Sequence, residues 1–129
     1  MLAIDTNLIV RYLTGDHPEQ SPKARALIDR ADVFVCTTVL LETEWVLRSA
    51  YGYTPAQIGT ALSAFAGLPQ VTLEDAPLAA TALAWMAKGL DFADALHLVK
   101  AAGCTAFVSF DQRLAKAANR VSDVKVRVP

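Results

Sequence analysis

Five short runs of β-branched and aromatic residues recur along the chain: "LAI" from residue 2, "VFVCT" from 33, "QVTL" from 70, "AFVSF" from 106 and "VKVRV" from 124, with helical patterns between them. Their length and composition suit strands. Their separation constrains the fold, because successive parallel strands need a long crossover and a helix supplies it with one hand. Helices are expected over residues 20–30, 38–51, 54–66, 75–88, 91–102 and 111–119, the third announced by "TPAQ", a cap followed by proline. The spacing predicts an α/β chain, a three-layer α/β/α sandwich around a mainly parallel central sheet. A length of 129 residues suffices for one sizeable core, and no repeat, linker or low-complexity tract interrupts it, so a single domain over 1–129 is expected.

Apolar residues make up 53% of the chain and charged ones 19%, a composition that leaves apolar surface for a partner. The formal net charge of -1 removes a global basic field as an argument for nucleic acid. Cys36 and Cys104 sit in apolar stretches without metal-finger spacing and read as buried thiols, suited to a reducing cytoplasm. "MLAIDTN" lacks a basic signal-type start, and the apolar stretch "APLAATALAWMA" is too short for a membrane span, so a cytoplasmic, unanchored protein is expected.

In open parallel sheets, sites form beyond the carboxyl ends of the strands. Asp5 directly follows "LAI" and Asp111 directly follows "AFVSF". Glu42 lies about one turn into the helix after "VFVCT", and Asp94 falls in the first turn of the helix leading to "AFVSF". All four acids are therefore expected at one sheet edge. Carboxylates gathered there repel one another unless a cation holds them, and hard oxygen donors select Mg²⁺ or Mn²⁺. Such an ion suits phosphodiester hydrolysis, because it lowers the pKa of a bound water and stabilises the leaving oxygen. Thr6, Asn7 and Ser109 are neutral neighbours able to orient a carboxylate or touch phosphate.

Each residue has a plainer reading. Asp5 could end a strand, and Asp111 before "QRLAK" makes a good helix N-cap. Asp91 is the better cap of its helix and Asp94 the better ligand. His97, one turn beyond Asp94, reads as a hydrogen-bonded structural histidine that orients Asp94, since hard ions prefer oxygen. Glu44 points to a different helix face from Glu42 and is expected in solvent or paired with Arg48. Trp45 and Trp85 read as core or interface residues. Arg11, Arg48 and Arg113 are candidates for steering phosphate.

The chain resembles the PIN-domain family, and within it the VapC-type toxins of bacterial toxin–antitoxin pairs. The resemblance rests on "AIDTNLIVRYL", "TTVLLETEWVL", "LDFADALHLVKA" and "AFVSFDQRLAK", in the family's order and separations. It implies a PIN-like fold and a Mg²⁺- or Mn²⁺-dependent endoribonuclease, with Asp5, Glu42, Asp94 and Asp111 as the catalytic and metal-binding acids, leaving a 3′-hydroxyl and a 5′-phosphate. It also implies a homodimer, an antitoxin protein covering the acidic pocket, and a structured RNA target of the tRNA or rRNA class. Two other readings compete. A phosphatase with an aspartyl nucleophile would need a second Asp two residues after Asp5, where Asn7 stands. A catalytically silent RNA- or protein-binding module would not need all four acids.

Overall fold

Every strand run forms a strand, but each is trimmed to two or three residues. The computed structural model describes residues 1–129. It is a mixed α/β chain of seven helices in which every strand pair is parallel. The chain folds as two compact units, Met1–Ala76 and Pro77–Pro129.

The first unit holds β1 (Leu2–Ala3), α1 (Thr6–Thr14), α2 (Gln20–Arg30), β2 (Val33–Val35), α3 (Thr37–Ser49), α4 (Pro55–Ala66) and β3 (Val71–Leu73). Its strands lie in the order β1-β2-β3, with Leu2 opposite Val33 and Val33 opposite Val71. This register sets Asp5, Cys36 and Glu74, each just past its strand, at one carboxyl edge. Ile4, Ile9, Ile28, Val33, Val35, Leu47, Ile58, Leu62 and Phe65 are buried, and their burial is the main term holding the helices to the strands. Helix α4 begins with a complete capping box, in which Thr54 and Gln57 satisfy each other's backbone N–H groups and Pro55 follows the cap.

Helix α1 lies outside the helices expected from sequence. Its apolar residues Leu8, Ile9, Tyr12 and Leu13 nevertheless recur at helical spacing. Its ends carry a signal too: Asp5 caps the start, and Gly15, at φ 63°, closes the end with its N–H on the Arg11 carbonyl. Helix α2 is capped from outside its own start, because the His17 Nδ1 accepts the N–H groups of Glu19 and Gln20 at 3.2 and 2.9 Å.

The second unit holds α5 (Ala76–Ala87), α6 (Phe92–Lys100), β4 (Phe107–Val108), α7 (Gln112–Val121) and β5 (Val126–Arg127). Phe107 pairs with Val126 and Val108 with Arg127. Leu83, Met86, Leu90, Phe92, Leu96, Leu98, Leu114 and Ala118 are buried. No helix is long and apolar enough to cross a membrane.

Three expectations need correction. Cys104 is exposed and Cys36 half-buried, so neither is a core thiol; Cys104 falls in the turn after α6, where apolar neighbours do not imply burial. Of the two alternatives for Trp45, core or interface, its 56% exposure on α3 removes the core one. The run "AFVSF" is strand only at Phe107–Val108, because the Ser109 hydroxyl accepts the Asp111 N–H at 3.0 Å and draws the chain into a turn.

Candidate active site

In the first unit the site begins at Thr6. Asp5, in extended conformation, accepts the Thr6 N–H on Oδ1 at 2.8 Å and so caps α1. The Thr6 hydroxyl donates to Glu42 Oε1 on α3. One buried threonine, 4% exposed, thus binds Asp5 through its backbone and Glu42 through its side chain, while both acids face solvent. Sequence adjacency suggests that Thr6 orients Asp5; its hydroxyl serves Glu42 instead. Asn7, exposed next to it, lines a cleft of about 210 Å³ with Arg11, Gln20 and Lys23.

The choice between Glu42 and Glu44 falls as the helix faces suggest. Glu44 is 3% exposed and pairs with Arg48, whose Nε donates at 2.9 Å, so it is taken up by the fold. Sequence reasoning misses Glu74. Cys36, the N-cap residue of α3, supplies no side-chain bond, and Glu74 Oε1 accepts the Thr37 N–H at 2.9 Å in its place. Since the Glu74 N–H also bonds the Val35 carbonyl, the residue ties the start of α3 to β2 and β3 and thereby fixes where Glu42 stands. No sequence signal marks it, because its partner lies 37 residues away.

The second unit carries the other acids. Asp91 caps α6 by accepting the Asp94 N–H at 3.1 Å, and the Asp94 carboxylate, in the first turn, has no part in that cap. Burial pushes the Asp94 carboxyl above the ordinary range; the charges of Asp91 and Asp111 push it the same way, and His97 opposes them. Asp111 caps α7 through Oδ1 to the Leu114 N–H at 3.1 Å, so its plainer reading is realised; one carboxylate oxygen serves as the cap. Ser109 fixes the Asp111 turn. His97 is exposed and lies nearly parallel to the Phe107 ring, at 6.5 Å and 10°, and is not a buried, hydrogen-bonded histidine.

Of the three arginines considered for phosphate, Arg11 is engaged by Gln20, Tyr51 and Asp16, and Arg48 by Glu44; Arg113 is exposed on α7. No group of three His, Cys, Asp or Glu side chains could enclose a metal ion. The donors suit a hard cation that keeps most of its water and takes one or two carboxylates, which is how Mg²⁺ binds. Asp94 carries the marks of such a position, a carboxylate with like charges nearby and no hydrogen-bond donor to its side chain.

The PIN domain family matches the chain over residues 2–120. The chain is a PIN domain. Its fold is therefore that of a nuclease family whose members generally depend on magnesium, which makes it, at that level, a hydrolase. No curated protein matches this PIN domain.

Proposed function

We propose that this PIN domain is a Mg²⁺- or Mn²⁺-dependent endoribonuclease, the toxin of a toxin–antitoxin pair, in which Asp5, Glu42, Asp94 and Asp111 are the catalytic and metal-binding acids, one or two of them meeting the hydrated ion directly. The observation that carries the reading is Thr6, a buried residue bonded both to its neighbour Asp5 and to Glu42, 36 positions along the chain. A buried hydroxyl needs a partner in any fold, and here that partner is an exposed acid brought beside Asp5 from another helix. The raised Asp94 carboxyl, held among Asp91 and Asp111, supports it from the other unit.

When bound, the ion supplies a water of lowered pKa and stabilises charge on the leaving oxygen. The chain's own contribution is orientation. Thr6 holds the Glu42 carboxylate through its hydroxyl and the Asp5 carboxylate through its backbone N–H, so that neither acid has to be ordered when substrate arrives. Asp91 occupies the free N–H of α6 and spares Asp94 for binding. Ser109 fixes the turn at Asp111 by accepting its N–H, while Asp111 Oδ1 caps α7 and leaves its other oxygen for binding. Asn7, exposed beside Thr6, is the donor this reading assigns to phosphate.

The apolar excess and the 56% exposure of Trp45 support a homodimer and an antitoxin as partners, and on this reading the protein acts in the cytoplasm. The RNA belongs to the structured tRNA or rRNA class. Purified protein is expected to cut such RNA with Mg²⁺ or Mn²⁺, leaving 3′-hydroxyl and 5′-phosphate ends, and to stop in EDTA. Asp5→Asn and Asp94→Asn should each lose cleavage by about a hundredfold or more while keeping a wild-type circular dichroism spectrum, an effect in the range of metal-site losses. Undiminished cleavage by both variants, or in excess EDTA, rejects the proposal.

A further inference from the structure

Phe110 is 85% exposed, the most exposed large apolar side chain in the protein. A phenyl ring left in water forgoes the burial that favours folding, and nothing in the fold requires it there: β4 has ended at Val108, and the turn to Asp111 is made by Ser109. The ring stands immediately before Asp111, one of the acids assigned to the reaction. Beyond it, Arg113, Lys116 and Arg120 follow one another along α7 at spacings that place them on one helix face, all three exposed. The protein's ion pairs are Arg11–Asp16 and Arg48–Glu44, so these three cations stand without a carboxylate. Residues 107–129 carry five basic side chains against two acids, although the whole chain has a net charge of -1.

An aromatic face followed by a row of unpaired cations is the combination that binds single-stranded nucleic acid, the ring stacking a base and the cations tracking the backbone. A protein partner would favour a broader apolar patch, whereas within three positions of Phe110 the one other exposed large apolar residue is Val108, and Ser109, Asp111, Gln112 and Arg113 are polar. We infer that Phe110 is a stacking platform for one base of a single-stranded RNA segment, whose phosphates then run along Arg113, Lys116 and Arg120 of α7. This deepens the ribonuclease reading and rests on it: the segment would pass beside Asp111, which sets which part of a structured RNA, a loop and not a helix, can be offered for cleavage. Seven residues of helix separate Arg113 from Arg120, about 10 Å of track.

The test is binding of a fluorescently labelled twelve-nucleotide single-stranded RNA to the full chain in EDTA, followed by anisotropy. Phe110→Ala should weaken binding about tenfold, within the range of one lost stacking contact. Phe110→Trp should keep the affinity and add, to the emission of Trp45 and Trp85, a third indole signal that the RNA quenches. Arg113→Gln should reduce the slope of log affinity against log salt by about 0.7, one phosphate contact on a single strand. Because the ring is exposed, its removal opens no core, and a matching circular dichroism spectrum checks this. Unchanged affinity in Phe110→Ala, or a wild type that does not bind, overturns the inference. So does a Phe110→Ala variant that changes oligomeric state while its RNA affinity stays the same, which would make the ring a protein contact. Cleavage with Mn²⁺, measured in parallel, separates the two readings: cleavage with unchanged Phe110→Ala binding removes the platform alone, and Phe110-dependent binding without cleavage removes the nuclease alone.

Discussion

Thr6 is the residue through which the first unit's acids are arranged. Its N–H is fixed on Asp5 by the start of α1, so only the hydroxyl can be removed without touching the helix cap. Thr6→Val keeps the shape and deletes that hydroxyl. Because Glu42 is exposed and regains water, the stability cost should be modest, about 1 kcal/mol. The effect on function should be larger, since a carboxylate that has lost its orienting partner binds metal more weakly: roughly a ten- to hundredfold higher Mg²⁺ concentration for half-maximal cleavage. Thr6→Ser, which restores the hydroxyl, should recover most of it. Equal Mg²⁺ requirements in wild type and Thr6→Val would reduce Thr6 to a packing residue.

At the scale of elements, what the sequence makes legible depends on how far away a residue's partner lies. Strand runs and the starts of α4 and α6 are readable because Thr54, Pro55, Gln57 and Asp91 act on neighbours three or fewer positions away. Helix α1 is equally local, carried by the spacing of Leu8, Ile9, Tyr12 and Leu13 and by the caps Asp5 and Gly15, whereas Glu74 is not readable at all, since its bond to Thr37 exists only once β2 and β3 are paired. The same division holds for the acids: the capping of α7 by Asp111 is local and visible, whereas the Thr6–Glu42 bond is a product of tertiary packing. Helix α4 gives a clean test of the local case, because its capping box involves none of the acids. Thr54→Ala removes the bond to the Gln57 N–H and should cost about 1 kcal/mol. That corresponds to a fall in Tm of roughly 3–6 °C. Cleavage at 25 °C should not change; a loss of activity would show that α4 does more than complete the fold.

For the molecule as a whole, the acids proposed to hold metal set a tension between stability and function. Asp94 binds its proton more tightly in the folded protein than in the unfolded chain, because burial and the charges of Asp91 and Asp111 outweigh the favourable field of His97. The folded state therefore carries more of this proton as pH rises from the ordinary carboxyl range through the raised value. Stability on this account falls across that window and stays reduced above it, at neutral pH. A divalent cation that binds only the folded state acts in the opposite direction, adding about 2.7 kcal/mol at a hundred times its Kd. Metal-free Asp94→Asn should accordingly be more stable than wild type at pH 7, with the difference shrinking toward pH 3, and Mg²⁺ should raise the Tm of wild type but much less that of the variant. Thermal unfolding of both proteins, with and without EDTA across this pH range, measures each term. If the variant is the less stable at pH 7 without metal, Asp94 is kept for the fold; if Mg²⁺ shifts both proteins equally, the ion binds elsewhere.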